Sequence, residues 1–237
     1  MLTIAKQLTS ALNTIQDSAI KAGRSPSEVS LLAVSKTKPN QAIKEAWQAG
    51  QRMFGENYVQ EGIQKIQQLT ELEGIEWHLI GPLQSNKTKV VAEHFTWVQS
   101  IDRLKIAERL SQQRPENMTP LQVCIQVNIS QENSKSGVAP AAVLGLAESI
   151  STLPNLCLRG LMAIPAATTD NAEQQHIFAT MQQLYTSLQQ RFNTIDTLSM
   201  GMSSDMHNAI LCGATMVRIG TAIFGARETQ SVSKREQ

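Results

Sequence analysis

Short apolar runs alternate with longer stretches of helical period along most of this chain. The first stretch, "MLTIAKQLTSALNTIQ", has Ile4, Leu8, Leu12 and Ile15 on one helical face, which predicts an amphipathic helix within residues 1–25. The apolar runs predict eight strands, over residues 30–35, 52–54, 77–80, 97–99, 122–128, 158–163, 197–200 and 216–219. Polar stretches of helical period separate these runs, so the pattern indicates alternating strands and helices.

This alternation determines the predicted fold class. Each strand is followed by a segment long enough for one helix, which makes consecutive strands parallel. Eight such units in 237 residues predict a single (β/α)8 TIM barrel with an extra N-terminal helix, and a doubly wound open sheet is the alternative. We expect one domain over residues 1–237, in which helix 1–25 packs on the barrel and residues 228–237 form a polar tail.

Composition narrows the class of protein. Hydrophobic residues make up 41% of the chain, which is enough for a core, and no apolar run is long enough to span a membrane. The formal net charge is +1, which argues against a nucleic-acid partner. The three cysteines are far apart and form no CxxC motif, as is usual for a protein of the reducing cytoplasm. We therefore expect a cytoplasmic protein with neither a nucleic-acid nor a membrane partner.

The four histidines predict no metal site. His78 alternates with Trp77 and Leu79 in a predicted strand, a position typical of a hydrogen-bonded core histidine. The other three occur in helical patterns without the spacing of metal ligands.

Two glycine- and hydroxyl-containing segments follow the last two predicted strands. "GMSSD" contains Ser203 and Ser204, and "RIGTAIFG" contains Gly220 and Thr221. The loops after strands seven and eight of a barrel commonly bind phosphate through backbone N–H groups and hydroxyls. Each motif alone is also explained by a helix cap at Ser203 or a turn at Gly220. Their occurrence at this pair of loops favours a phosphate site.

A lysine ends the first strand, in "LLAVSKTKP". A partly desolvated amine across the barrel mouth from a phosphate site suggests a Schiff base with an aldehyde, and we assign this role to Lys36. Lys38 is more simply a solvated neighbour. Lys87 in "SNKTK" and Lys135 in "NSKSG" could serve as a second, weaker amine, a role that requires their desolvation.

Seven segments together resemble the pyridoxal 5′-phosphate homeostasis protein family, whose barrel is similar to the N-terminal domain of bacterial alanine racemase. The segments are "LLAVSKTKP", "FGENYVQEG", "WHLIGPLQSNK", "NISQENSKSG", "LRGLMAIP", "LSMGMSSDM" and "MVRIGTAIFGAR". They extend over residues 31–227, which is nearly the whole chain.

The resemblance implies a role for individual residues in binding pyridoxal 5′-phosphate (PLP). Lys36 would form the Schiff base, Asn57 would lie beside the cofactor ring, and Arg218 would face the pyridine nitrogen. The phosphate would lie among Ser203, Ser204, Gly220 and Thr221, and Met200 completes the expected cofactor-binding set. A guanidinium cannot accept a proton and so disfavours a pyridinium, which makes the ring a weaker electron sink.

A carrier of PLP is the function that these residues favour. Alanine racemase adds a catalytic tyrosine from a second domain, whereas the tyrosines here are Tyr58 and Tyr185, and we expect Tyr58 to pack or hydrogen-bond near Asn57. We predict a non-catalytic monomer that supplies PLP to apo-enzymes or exchanges it with salvage enzymes. The alternatives are a PLP-dependent amino-acid racemase and a barrel enzyme acting on a phosphorylated sugar.

Overall fold

The computed structural model describes residues 3–130 and 136–226. Eight parallel strands form a closed barrel in sequence order. Their bounds are β1 Ser30–Val34, β2 Met53–Glu56, β3 Glu76–Leu79, β4 Trp97–Ile101, β5 Leu121–Gln126, β6 Leu156–Met162, β7 Thr197–Ser199 and β8 Met216–Ile219. Strands β1 and β8 pair over four residues, from Ser30 opposite Met216 to Ala33 opposite Ile219, and this pairing closes the barrel. The predicted barrel is thereby confirmed, and the open sheet is excluded.

Nine α-helices occur within the described part of the chain. They are α1 Ile4–Lys21, α2 Asn40–Gln48, α3 Val59–Gln68, α4 Thr88–His94, α5 Leu104–Gln113, α6 Val143–Ser151, α7 Asn171–Gln189, α8 Met206–Leu211 and α9 Thr221–Phe224. Short 3-10 helices occur at Pro26–Glu28, Ser85–Lys87 and Pro140–Ala142. Seven of the α-helices lie between successive strands, as expected of parallel crossovers.

The N-terminal helix precedes the first strand and packs on the outside of the barrel against α8 and α9. The Thr3 hydroxyl caps it by accepting a hydrogen bond from the Lys6 N–H. Leu8, Ala11 and Ile15 are buried on its inner face. Leu12 was predicted to share this face but is 44% exposed, because it lies at the edge of the apolar stripe.

The two layers of the barrel differ in polarity. An extended apolar cluster fills the space between the strands and the helices, with fully buried Phe54, Phe95 and Phe178. Inside the barrel, small apolar clusters such as Leu32, Ile80 and Met216 lie beside buried polar side chains, which are His78, Gln99, Gln126, Ser199 and Arg218. Burial of a polar group is costly unless the group is hydrogen-bonded. The orientations of these side chains below the barrel mouth are therefore constrained by their hydrogen-bond partners.

Residues 3–130 and 136–226 contain neither a candidate membrane-spanning helix nor a candidate metal-binding cluster. They hold no helix that is both long and apolar enough to cross a membrane. They also hold no group of three or more His, Cys, Asp or Glu side chains that could bind a metal ion.

Candidate functional site

Lys36 is the first residue of the mouth, at the C-terminal end of β1. Side chains alternate along a strand, and here Ser35 faces the helices while Lys36 faces the mouth. The Lys38 N–H donates to the Ser35 carbonyl at 3.0 Å, which closes a tight turn with Lys36 and Thr37 at its centre. Thr37 has φ 64°, and it is the one non-glycine residue with positive φ in the part of the chain described. The lysine is therefore held on a well-defined turn.

Gly220 and Thr221 lie beside this turn. A cavity of about 70 Å³ is lined by Val34, Lys36, Gly220 and Thr221, together with Thr37, Lys38 and Gly225. A Cβ at Gly220 would lie 3.1 Å from the Val34 carbonyl oxygen, so glycine permits β8 and β1 to approach closely here. The fold thus brings together the predicted amine and one of the two predicted phosphate loops.

Ser203 and Ser204 occupy the neighbouring loop, after β7. Both are exposed and precede α8, whose N-cap residue is Asp205 rather than Ser203. Within the described ranges neither serine hydroxyl makes a hydrogen bond, so both can bind a ligand. Ser204 lines a second cavity of about 70 Å³ with Met202, Asp205 and residues of the loop after β6.

Asn57 lies at the mouth after β2, the strand next to β1. It lines a cavity of about 280 Å³ with Gly81, Gln126 and Ile164, among others. A Cβ at Gly81 would lie 1.9 Å from the Asn57 carbonyl oxygen, so this position requires glycine. Asn57 and Lys36 both border the mouth, but they line separate cavities.

Arg218 lies fully inside the barrel, below the mouth. Its guanidinium donates to Ser199 Oγ and to the Ala163 carbonyl, both at 2.8 Å, and no carboxylate of the described residues pairs with it. Burial lowers the pKa of Arg218 to about 10, so it remains cationic at neutral pH. Two of its five N–H groups are used, so others can donate to a ligand.

A hydrogen-bonded chain continues from Arg218 into the barrel. Ser199 Oγ donates to Gln99 Oε1 at 2.6 Å, and Gln99 Nε2 lies 2.9 Å from His78 Nδ1. Burial lowers the pKa of His78 to about 3, so the ring is neutral and its Nδ1 accepts from the amide. The imidazole also stacks on Trp97, with 4.9 Å between ring centroids. The prediction of a hydrogen-bonded core histidine is confirmed.

The remaining residues of interest differ in position. Met200 is fully buried in the main apolar core, so its side chain packs behind the site. Lys38 is partly exposed, in agreement with its expected solvation, and its ammonium donates to the Ala226 carbonyl at 2.7 Å at an exposed position. Lys87 is exposed and thus lacks the desolvation required of a second amine, and Lys135 lies outside the described residues.

The two tyrosines do not meet at the mouth. Tyr58 was expected to pack or hydrogen-bond near Asn57, but its side chain is 51% exposed and its hydroxyl makes no hydrogen bond within the described ranges. Tyr185 is buried on α7, where its hydroxyl accepts from Gln189 Nε2 at 3.0 Å. Burial raises the pKa of Tyr185 to about 12, so its phenol is a poor base.

A buried ionic cluster behind Lys36 was not predicted from the sequence. Lys65 Nζ donates to Glu56 Oε1 at 2.9 Å, to Glu61 Oε1 at 2.6 Å and to the Ser35 carbonyl at 2.7 Å. Burial raises the pKa of Glu56, and the Lys65 charge partly offsets this effect. The i, i+4 spacing of Glu61 and Lys65 on a helix was the available signal, but it usually marks an exposed pair.

Comparison with known proteins identifies relatives of this chain. Residues 13–228 match the family model described as alanine racemase, N-terminal domain. The pyridoxal phosphate homeostasis protein of Pasteurella multocida is 58% identical over 230 residues, which cover 96% of this chain and 99% of that protein.

Solved structures agree with this result. The structure of PipY of Synechococcus elongatus with PLP bound is 40% identical, has a TM-score of 0.80 and covers 94% of this chain and 100% of that one. An alanine racemase of Clostridium difficile shares the fold at 14% identity and a TM-score of 0.71, covering 97% of this chain and 59% of that one. The chain therefore belongs to the pyridoxal phosphate homeostasis proteins, a family built on the alanine racemase N-terminal barrel.

Proposed function

We propose that this protein binds PLP reversibly through a Schiff base on Lys36 and buffers or supplies the cofactor inside the cell. The observation that carries the proposal is the shared cavity of Lys36, Gly220 and Thr221, with the buried Arg218 cation in the barrel below it. The names of relatives at 58% identity support it, as does the PLP bound to PipY.

The donors around the mouth fit the chemical groups of PLP. PLP would supply an aldehyde, with which a protein amine could condense so that C=N replaces C=O and one water is lost. Lys36 provides that amine, and the unpaired hydroxyls of Ser203 and Ser204 and the close backbone approach at Gly220 suit a phosphate. Arg218 has N–H groups left to face a ring nitrogen that carries no proton.

The surroundings of the site favour retention of the cofactor over turnover. A guanidinium facing the ring keeps the pyridine nitrogen unprotonated, which weakens the ring as an electron sink. Tyr58 is half exposed, Tyr185 is bonded to Gln189 on α7, and His78 is neutral and buried inside the barrel. We assign no residue of the chain as a catalytic base.

Further assignments belong to the same proposal. The cofactor-binding set is Lys36, Asn57, Met200, Ser203, Ser204, Arg218, Gly220 and Thr221. Since the Met200 side chain is buried in the apolar core, we assign it a packing role behind the site.

We also propose a cytoplasmic monomer of one domain that passes PLP to apo-enzymes or exchanges it with salvage enzymes. Light scattering of the purified protein tests the monomer, and a dimer mass contradicts it.

Absorption spectroscopy tests the Schiff base. PLP added to the purified protein should give an absorption band in the near-visible range that borohydride makes permanent, with the modified peptide containing Lys36. Lys36→Ala should abolish the band. Lys89→Ala is the matched control, because its amine is exposed beside Glu93 and does not line this cavity, and it should keep the band. A band retained in Lys36→Ala contradicts the proposal.

Deuterium incorporation tests the absence of turnover. The PLP-loaded protein is incubated with amino acids in deuterated water, and α-deuteration is followed by mass spectrometry. We expect no incorporation above that of free PLP. Rapid incorporation that requires Lys36 would instead support the racemase alternative.

A further inference from the structure

The turn that carries Lys36 has an unfavourable backbone conformation. Ser35 and Lys38 are its ends, and the positive φ of Thr37 at the third position follows the type II pattern, which normally takes glycine. A β-branched residue at positive φ is a rare outlier and persists only where surrounding contacts enforce it. Contacts from outside the turn must therefore hold it.

Those contacts come from the ionic cluster of Glu56, Glu61 and Lys65. Glu61 Oε1 accepts a hydrogen bond from the Thr37 N–H at 2.6 Å. Lys65 Nζ donates to the Ser35 carbonyl at 2.7 Å. The residues on both sides of Lys36 are thus bonded to one cluster, through charged groups that make stronger hydrogen bonds than neutral ones.

The cluster is itself rigidly anchored. Lys65 uses all three ammonium protons, on the Ser35 carbonyl, Glu56 and Glu61. Glu56 Oε1 also accepts from the Ser35 hydroxyl at 2.6 Å. The side chains of Lys65 and Glu56 are 6% and 0% exposed, so water does not compete with the bond between them, whereas the Glu61 side chain is 26% exposed.

We propose that Glu61 and Lys65 are positioning residues, which hold the Ser35–Lys38 turn in its strained conformation and so direct the Lys36 amine into the mouth. They act through the backbone of Ser35 and Thr37 and are not catalytic residues. This inference rests on the proposed function for its PLP readout, but the position of the Lys36 amine can be measured without the cofactor.

The first test uses PLP affinity. Glu61→Ala removes the acceptor of the Thr37 N–H and should weaken PLP binding about tenfold, because the turn is freed to relax. Glu61→Gln keeps an acceptor oxygen and should recover most of the affinity. Glu71→Ala is the matched control, since Glu71 forms an exposed pair with Lys44, and it should bind PLP as the wild type does.

A double substitution tests the role of strain. Thr37→Gly removes the conformational penalty, so the turn no longer depends on Glu61. In that background Glu61→Ala should weaken binding less than threefold. An equal loss in both backgrounds would show that Glu61 does not act through the turn.

Labelling without PLP separates this inference from the proposed function. Acetic anhydride labels lysines at rates that depend on their surroundings, and peptide mass spectrometry reads each site. Glu61→Ala should change the rate at Lys36 several-fold and speed hydrogen exchange of the Thr37 amide, with no change at the exposed Lys89. If wild type fails to bind PLP but these shifts occur, the positioning role stands and the proposed function fails.

Unchanged Lys36 labelling and Thr37 exchange in Glu61→Ala would overturn the positioning role. Glu61→Leu provides the same test should the alanine variant not fold. A loss of thermal stability with unchanged labelling and PLP affinity assigns the cluster to fold stability alone.

Discussion

Two buried cations lie near the candidate site, one on each side of the barrel wall. They differ in the charge of the groups that accept their hydrogen bonds. Lys65 lies between the strands and helices and donates to two carboxylates and a carbonyl. Arg218 lies inside the barrel and donates only to neutral acceptors, the Ser199 hydroxyl and the Ala163 carbonyl. Both are almost fully buried.

This difference in acceptors indicates that the charge of Lys65 is structural, whereas the charge of Arg218 is available to a ligand. The charge of Lys65 is cancelled by Glu56 and Glu61, and burial raises the pKa of Glu56 although the Lys65 charge lowers it. No carboxylate of the described residues is hydrogen-bonded to Arg218, and Asp205 interacts with its charge only at longer range, so its N–H groups remain available to a ligand. Burying a charge without an ion-pair partner is costly, so a buried arginine directly below the mouth is a candidate ligand-binding group.

Removal of Lys65 should have the largest effect on stability. Lys65→Met leaves buried Glu56 without its counter-charge and should lower the free energy of unfolding by about 3–5 kcal/mol. Urea denaturation measures this loss. The matched variant Lys44→Met removes the exposed partner of Glu71 and should cost less than about 1 kcal/mol. Similar costs for the two variants would contradict a structural role for Lys65.

The pH dependence of stability tests the far end of the Arg218 chain. The folded pKa of His78 is about 3, below the ordinary value of 6.5, so the unfolded chain binds the proton more tightly. The stabilisation by neutral His78 is complete above pH 6.5 and is lost as pH falls toward 3. The loss at pH 5 should be about 2 kcal/mol.

His78→Gln is the control for this prediction. Glutamine can also accept from Gln99 Nε2 but does not titrate in this range. Urea denaturation from pH 7 to pH 5 should show a smaller loss in the variant than in the wild type. Parallel curves would mean that His78 is not held neutral.

Replacement of Arg218 should cost less stability than replacement of Lys65, although both are buried. Arg218→Met leaves the Ala163 carbonyl without a donor but also removes a desolvated charge, so we expect a net loss of about 1–2 kcal/mol. If Arg218 faces the PLP ring as proposed, PLP absorption should also change strongly in this variant, because the ring would lose that cation. If Arg218→Met lowers the free energy of unfolding as much as Lys65→Met does, the two cations do not differ in their structural role.

Interruption of the chain at Ser199 should have the smallest effect. Ser199→Ala removes the acceptor of one Arg218 N–H and the donor to Gln99, and it should cost about 1 kcal/mol by urea denaturation. Ser187→Ala is the control, because this exposed hydroxyl bonds only to a carbonyl of its own helix. It should be nearly neutral, and an equal cost in both variants would argue against a supporting role for Ser199.

Much of the fold could be predicted from the sequence because local patterns indicate the type and order of the strands and helices. Apolar runs and helical periods can be recognised directly in the sequence. Because eight of each alternate, only a few topologies are compatible with the chain. The predicted strand ends place Lys36, Asn57 and Gly220 at one face of the barrel. The prediction for Leu12 was wrong because periodicity does not reveal where the buried stripe of a helix ends.

By itself, then, the sequence determined the barrel, the lysine at the end of β1 and the family to which the chain belongs. Only the tertiary structure decided which polar residues meet. Lys65 reaches Ser35 across thirty positions, and Ser199 reaches Gln99 across one hundred. Such contacts depend on the closure of the barrel and on which way each side chain points. For the same reason the sequence could not distinguish Lys65, which is bonded to two carboxylates, from Arg218, which is bonded only to neutral acceptors.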